Sequence, residues 1–408
     1  MTSKNKYDYY LYTLLTLVVF VLLFVANTLS ISYKEALNVF VNTSILSYIT
    51  KVSLYVFGQN DIALRIPFII LYIFSVLLMY RITDNYFKYK SDRFISIIIF
   101  MFLPGVLSAS LLVNSAILVT FFTLLYLYYY KVTNKHSYIL LFIFLFIDNS
   151  FAILFLALFF YSLKGIKSVE DIKNKKNILI WISLLLFILS IFIYGFTTDG
   201  KPRGFFLDTF AIYATIFSPL LFLYFFYSIY RVAFKEKEKS LIWYISTTAL
   251  FVSFLFSLRQ RVYIEDFAPY VLISLPFMLK IFFHSYRIRL KEFRKNHNIA
   301  IILVLFMLTI NVFLTFINKP LYLILPNPKK HFVYKYHFIK ELAQELKKND
   351  INFVSSDDKQ LLLRLKFYGI VQGDKYFISL NEFVEYKKKI KVSYYNRDLY
   401  EVYIKQRL

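Results

Sequence analysis

Long apolar tracts alternate with short charged segments along the first 318 residues, and this alternation is the strongest pattern in the chain. The first tract runs from Leu11 to Ser30 without a charged side chain. A helix of about 20 apolar residues matches a hydrocarbon core of roughly 30 Å and satisfies its own backbone hydrogen bonds in lipid. The pattern therefore predicts an α-helical polytopic membrane protein whose chemistry lies in loops and at helix ends.

The distribution of Lys and Arg predicts the topology, because basic loops favour the cytoplasm. One long tract, 138–163, has basic loops on both sides and Asp148 near its middle, so we interpret it as two short helices that enter and leave on one side. With this break the chain makes about eleven passes, with the N-terminus in the cytoplasm and the C-terminus outside. The predicted spans are 9–30, 62–81, 94–111, 114–130, 138–147, 151–163, 178–196, 208–230, 240–258, 267–284 and 298–318.

Composition changes after residue 318, where charges alternate and a globular pattern begins. We therefore predict a transmembrane domain at 1–318 and a small extracytoplasmic α/β domain at 319–408. Between the first two spans, segment 31–61 has an approximate helical period and is expected to lie flat in the membrane interface. In the C-terminal domain, helices are predicted at 334–349 and 359–368, and strands at 352–355, 376–379, 390–395 and 400–404.

Composition also excludes several classes of protein. The net charge is +23, but most Lys and Arg flank apolar tracts, where they meet anionic membrane lipid, so nucleic acid is not expected as a partner. The chain contains no cysteine, which excludes disulfides, thiolate metal sites and thiol catalysis. The five histidines fall on both sides of the predicted topology. We expect no cofactor, although carboxylates could hold a divalent ion.

Charged groups on the predicted outer face are the candidates for chemistry. Glu35 follows the first span and could act as a general base towards an acceptor hydroxyl or amine. The alternative is an ordinary solvated loop glutamate. Arg259 and Arg261 break the positive-inside trend, so they are expected to bind a negative group such as a lipid phosphate or pyrophosphate. The alternative is pairing with the acidic residues at positions 265 and 266.

Five further residues are candidates for substrate binding. Lys201 and Arg203 lie in a predicted outer loop and break the same trend; the glycines of this loop allow close packing against a ligand, and the alternative is an ordinary turn. Asp148 is expected to pair with a cation or to line a cavity, because a carboxylate facing lipid is costly. Asn114 could bind a sugar or cap its helix, and capping is the favoured interpretation. Arg65 precedes a proline by two residues and is interpreted chiefly as an anchor at a helix start.

Several short stretches follow one another in a distinctive order. They are Lys34-Glu35-Ala36, Leu54-Tyr-Val-Phe-Gly58 with Ala63-Leu-Arg-Ile-Pro67, Leu103-Pro104, and Arg259-Gln-Arg261 with Pro269. This order resembles the GT-C class of membrane glycosyltransferases, especially the bacterial protein O-mannosyltransferase and aminoarabinose-transferase branch. Two segments of the tail, 340–346 and 364–368, are also similar to segments of the outer domain in such enzymes.

The resemblance implies transfer of a sugar from a polyprenyl-phosphate donor to a glycan, lipid or protein acceptor on the outer face of a bacterial inner membrane. Such families carry an acidic pair, usually Asp-Glu, after the first span, and its first member is taken as the base. Here the pair reads Lys34-Glu35, and Asn114 stands where many relatives have Asp. Glu35 would then be the base. The leaving phosphate would be neutralised by Arg259, Arg261, Lys201 and Arg203.

Two alternatives to this function remain open. A transporter or flippase of a lipid-linked glycan would share the membrane architecture, and it predicts charged pairs near the middle of several spans. A catalytically silent scaffold of the same fold is favoured by the Lys34 and Asn114 departures. Product formation from a labelled donor distinguishes the glycosyltransferase from both.

Overall fold

The computed structural model describes residues 3–164, 178–195, 204–236, 239–382 and 386–406, which are mostly helical. Two compact units divide the chain. Unit 1 contains residues 1–18, 70–110 and 114–312, and unit 2 contains residues 19–69, 111–113 and 313–408. Unit 2 therefore brings a segment near the N-terminus together with the C-terminal residues.

Nineteen α-helices are present in the described residues, along with four short 3₁₀ turns. The turns are Ile264–Asp266, Lys291–Arg294, Pro328–Lys330 and Tyr334–Tyr336. The helices are α1 Ser3–Thr28, α2 Tyr33–Phe40, α3 Ile45–Phe57, α4 Asp61–Ile82, α5 Lys90–Met101, α6 Pro104–Leu111, α7 Ser115–Thr133, α8 Tyr138–Phe144, α9 Phe151–Leu163, α10 Ile178–Tyr194, α11 Phe206–Phe217, α12 Pro219–Lys235, α13 Leu241–Ser257, α14 Ala268–Leu272, α15 Leu275–Ile288, α16 Lys295–Phe316, α17 Leu321–Ile324, α18 Ile339–Lys348 and α19 Lys359–Phe367.

Five helical segments of the described chain are long and apolar enough to cross a membrane, or up to eight if each of three bent pairs counts as one span. Three shorter apolar helices, α9, α10 and α13, accompany them. The polytopic class agrees with the sequence, but the count of about eleven is not confirmed. The five are Lys6–Thr28, Asp61–Ile82, Ser115–Thr133, Ala268–Ile288 and Lys291–Phe316.

Two predicted spans are not single straight helices. Span 94–111 is the pair α5 and α6, bent by 50° immediately before Pro104, and span 208–230 is the pair α11 and α12, bent by 105°. Ser218, at φ 74°, separates the second pair and precedes Pro219. Proline has no backbone N–H and disfavours helical geometry in the residue before it, which explains both breaks.

The segment between α1 and α4 forms two helices, α2 and α3, at 83° to each other, where one interfacial helix was expected. Helix α3 buries polar side chains and exposes apolar ones, the reverse of a helix on the surface of a soluble protein. Ser47 and Thr50 are buried, whereas Tyr48, Val52 and Tyr55 are exposed. The Thr50 hydroxyl accepts a hydrogen bond from the Asn38 side chain, at 3.1 Å. A helix that packs through its polar face and exposes its apolar face is suited to lipid contact.

The C-terminal part of unit 2 is a small α/β structure. Its four strands have the order β1-β2-β4-β3, with β1 parallel to β2 and the other pairs antiparallel. The β3–β4 turn places Tyr395 and Asn396 at positive φ, as two-residue hairpins require. The first predicted helix of this part begins later than expected, at Ile339, because Phe338 has φ 75°. The strands are β1 Phe353–Ser355, β2 Val371–Ser379, β3 Lys388–Tyr394 and β4 Arg397–Gln406.

Loops that share a predicted side of the membrane meet within unit 1. The predicted outer turn at 148–150 contacts the segment that follows α13, because the Ser150 hydroxyl donates to Asp266 at 3.2 Å and the Tyr270 hydroxyl donates to the Ser150 carbonyl at 2.9 Å. At the other end of α9, Lys164 donates to the carbonyl of Lys239, which precedes α13. The break at 145–150 agrees with the sequence-based interpretation.

Candidate functional site

Arg65 is the centre of a buried polar network in unit 2. Its side chain is fully buried and donates to five main-chain carbonyl oxygens at 2.9–3.3 Å. These carbonyls belong to the ends of α1 and α6 and to the first turn of α4. The last carbonyls of a helix lack partners within the helix, so a guanidinium with five donors can satisfy several at once. The acceptors are the carbonyls of Ala26, Leu29, Ser30, Asp61 and Leu111.

Glu35 is buried beside Arg65, so it is not a solvated loop glutamate. It is the third residue of α2 in a capping box with Ser32, whose backbone N–H donates to Glu35 Oε2 at 2.9 Å. Arg65 Nη2 lies 3.4 Å from the same oxygen, and the backbone N–H of Val113 donates to Oε1 at 3.1 Å. Both carboxylate oxygens are therefore engaged, and the side chain fixes the start of α2 against residues 111–113.

Asp61 is the second carboxylate of the network. Its Oδ1 accepts a hydrogen bond from the Tyr368 hydroxyl at 2.6 Å and lies 3.8 Å from Arg65 Nη1, while its Oδ2 pairs with Lys340 Nζ at 2.9 Å. The Tyr368 hydroxyl also accepts from the backbone N–H of Ile31. Burial, followed by the nearby Asp61 charge, raises the pKa of Tyr368, so this phenol stays protonated and acts as a donor.

A polar cavity of about 490 Å³ opens beside Asp61 in unit 2. Asp61 and Lys340 reach it from the buried network, whereas Glu35 is not among its lining residues. Lys347 also lines it and forms no ion pair with a described carboxylate. The lining also includes amide side chains that can donate and accept hydrogen bonds, namely those of Asn27, Gln59, Asn60 and Gln344.

A groove of about 170 Å³ in unit 1 is apolar along its length and polar at one end. The apolar walls come from α9, α10 and α13. The polar end is formed where these helices begin or end, and it includes Arg261, Gln260 and Asp266. Arg261 is exposed and pairs with no carboxylate among the described residues. The walls include Ile153, Leu156, Phe187, Ile191, Val252 and Phe256.

The other predicted ligands of unit 1 have different positions. Arg259 is exposed, does not line the groove, and forms no ion pair within the described ranges. Asp148 lies next to the groove, where its Oδ1 accepts hydrogen bonds from the backbone N–H and the hydroxyl of Ser150. The carboxylate of Asp148 therefore stabilises the turn before α9, and Ser150 connects it to Asp266.

Asn114 is the N-cap of α7, with its side-chain oxygen accepting from the Ala116 N–H at 3.1 Å. Capping was the favoured interpretation from sequence. Lys201 and Arg203 lie outside the described residues. Among the residues that are described, no group of three His, Asp or Glu side chains is placed to hold a metal ion.

The architecture is that of a helical, multi-pass membrane protein with a buried polar network in unit 2 and a groove with a cationic end in unit 1. Residues 42–194 match the family model of the dolichyl-phosphate-mannose-protein mannosyltransferases. This match confirms the resemblance to GT-C glycosyltransferases and supports a glycosyltransferase as the general class. It covers just over a third of the chain, including Asp61, Arg65 and Asp148 but not Glu35 or Arg261. Comparison with curated proteins and with solved structures gave no match.

Sequence reasoning missed Asp61, Lys340 and Tyr368. Asp61 begins a span and could be recognised as a first-turn carboxylate, but its partners lie roughly 280 and 307 positions away in the chain. No local pattern connects them. A signal for the role of Glu35 was present, because Ser32-x-x-Glu35 is the pattern of a capping box.

Proposed function

We propose that this protein transfers a sugar from a polyprenyl-phosphate donor to a lipid, glycan or protein acceptor at a membrane surface. The observation that carries the proposal is the groove of unit 1, where apolar walls end at the guanidinium of Arg261, which forms no ion pair with a described carboxylate. A lipid-linked phosphate matches this arrangement, because it has an apolar chain and a charged head group. The match to a mannosyltransferase family supports the same chemistry.

In this proposal Arg261 binds the phosphate of the donor, and Gln260 supplies a neutral hydrogen-bond donor beside it. A guanidinium binds phosphate oxygens in a bidentate manner and stabilises the charge that develops as the sugar departs. Arg259 would contribute long-range attraction from outside the groove. Lys201 and Arg203 belong to the same proposal.

The proposed base is a carboxylate of unit 2. Glu35 is the residue implied by the family resemblance, but it is buried and does not line the polar cavity, so an acceptor bound in that cavity would not contact it. Asp61 is the alternative, because it lines the polar cavity in which an acceptor hydroxyl could bind. A general base must be within hydrogen-bond reach of the proton that it removes.

The test uses the purified full chain in lipid nanodiscs with a radiolabelled polyprenyl-phosphate sugar and a membrane extract as acceptor. We expect labelled product, and we expect Arg261→Gln to weaken donor binding by about tenfold or more, as for the loss of one charge-assisted hydrogen bond. Lys348→Gln is the matched control, since Lys348 is an exposed cation of unit 2.

To decide which carboxylate is the base, we would compare the kcat of Glu35→Gln with that of Asp61→Asn at saturating donor. The variant that lacks the base should lose at least about a hundredfold in kcat, while the other should retain most of it once folding is verified. Movement of the donor across the bilayer without product would indicate a flippase. Donor binding without turnover in every acceptor extract would indicate a silent scaffold.

A further inference from the structure

A second cavity of unit 1, with a volume of about 640 Å³, lies at the end of α13 opposite the groove. Ser240, immediately before α13, lines this cavity, whereas Phe256 near the end of α13 lines the groove. The walls come from residues 86–92, from the end of α12 and the residues after it, and from one side of α15. We propose that this cavity binds the phosphate of an anionic phospholipid, independently of the glycosyl-transfer proposal.

Lys280 is the main reason for this inference. It lies within the candidate span Ala268–Ile288, eight residues before the end, which corresponds to a depth of about 12 Å along the helix. A cation at such a position is costly unless it faces a cavity and meets an opposite charge. Lys280 Nζ lies 4.2 Å from the centroid of the Tyr86 ring in the cavity, and no carboxylate of the described chain forms an ion pair with it.

The carboxylates of the cavity do not supply the missing charge. Asp92 is bound by Arg287 through two hydrogen bonds, one of them from Nε at 2.8 Å, so this pair is internally neutral. Glu236 forms no ion pair with a described residue, and its single negative charge is outnumbered by three further cations. The three cations that line the cavity with it are Lys88, Arg231 and Lys280.

The chemistry of the cations suits a phosphate. Arg231 Nη1 donates to the Ser285 hydroxyl, and Arg231 and Lys280 both line the cavity. Arginine offers a planar fork to phosphate oxygens, and lysine offers a compact point charge. Two such groups that line one cavity can both contribute to binding a phosphate.

Apolar surface beside the cavity indicates that the phosphate belongs to a lipid. Ile288 lines the cavity and is 69% exposed, and Leu290 and Phe293, which follow it, are 70% and 65% exposed. Exposed apolar side chains beside basic groups at the end of a membrane helix are typical of the zone where acyl chains meet head groups. A free anion would gain nothing from these apolar residues.

The experiment is native mass spectrometry of the purified full chain with phosphatidylglycerol, phosphatidylcholine or inorganic phosphate added separately. We expect one phosphatidylglycerol to bind with a preference of about tenfold or more over phosphatidylcholine. Lys280→Gln should lower phosphatidylglycerol affinity by about tenfold, while Lys280→Arg should retain it. Lys291→Gln, an exposed cation that does not line the cavity, is the matched control and should leave binding unchanged.

Three results would overturn the proposal. One is equal binding of the two lipids. Another is an unchanged preference in both Lys280→Gln and Arg231→Gln, each shown to be folded by its elution and melting temperature. The last is displacement of phosphatidylglycerol by millimolar inorganic phosphate, which would assign the cavity to a free anion. If Lys280→Gln does not fold, Arg231→Gln carries the same comparison.

Discussion

The polar network of unit 2 and the groove of unit 1 each contain an arginine and at least one carboxylate, but they differ in how the charge of the arginine is satisfied. Arg65 is fully buried and donates to five carbonyls and one carboxylate. Arg261 is exposed at the polar end of a groove and has no described carboxylate as an ion-pair partner. The first arrangement is suited to holding helix ends together. The second leaves a charge available for a ligand, which is why we assign it to donor binding.

The largest effect should follow from Arg65→Leu. Removal of the guanidinium leaves Glu35 without its cationic partner and several helix-terminal carbonyls without a donor, and breaking a buried ion pair typically costs about 3–5 kcal/mol. We expect loss of most folded protein, measured as the melting temperature and the monodisperse fraction in detergent. Arg259→Leu is the matched control. A melting temperature within experimental error of the wild type would contradict the structural role of Arg65.

A smaller and pH-dependent effect should come from His337, in the C-terminal part of unit 2. Burial, with added repulsion from Lys319 and His331, lowers the pKa of His337 from 6.5 to about 3. Its Nδ1 lies 2.9 Å from the Tyr322 hydroxyl, and its buried Nε2 has no hydrogen-bond partner among the described residues. Protonation in place would therefore add an unsatisfied buried charge.

The sign of the pH dependence follows from this depressed pKa. Above pH 6.5, His337 is neutral in both the folded and unfolded states. As the pH falls from 6.5 towards 3, the unfolded state takes up the proton first, so the free energy of unfolding decreases by at most about 1.4 kcal/mol per pH unit. Pulse proteolysis of residues 319–408 in the full chain at pH 7.5 and 5.5 would measure this decrease in the free energy of unfolding. His337→Phe should show a shallower decrease, and an equal decrease would exclude His337 as the cause.

The smallest effect on stability is expected at the groove. Arg261→Gln should change the free energy of unfolding by no more than about 0.5 kcal/mol, because surface substitutions without a buried partner seldom do more. The same variant should weaken donor binding, so stability and binding separate at this residue. Arg65→Gln, measured in parallel by thermal unfolding, should lower the melting temperature much more than Arg261→Gln does. If Arg261→Gln lowered stability as much as Arg65→Gln, the contrast between the two sites would fail.

Much of the C-terminal α/β part followed from local patterns. The helix at 359–368 was predicted within one residue of α19, and Asp358 caps it through its side chain. The strand prediction at 400–404 lies within β4, which extends further at both ends. The helix at 334–349 was placed too early because Phe338 adopts a positive φ, which no pattern signals for a bulky apolar residue.

The sequence by itself determined the polytopic membrane class, the break near Asp148, the cap at Asn114 and the resemblance to GT-C glycosyltransferases. These features depend on composition, period and neighbouring residues. Only the tertiary structure decided that Glu35 and Arg65 form one buried network, that Asp61 joins Lys340 and Tyr368, and that Arg261 but not Arg259 lines the groove. Burial and pairing between distant residues depend on how helix ends meet in space. The sequence shows that a residue is charged, but it does not show whether that charge has a partner.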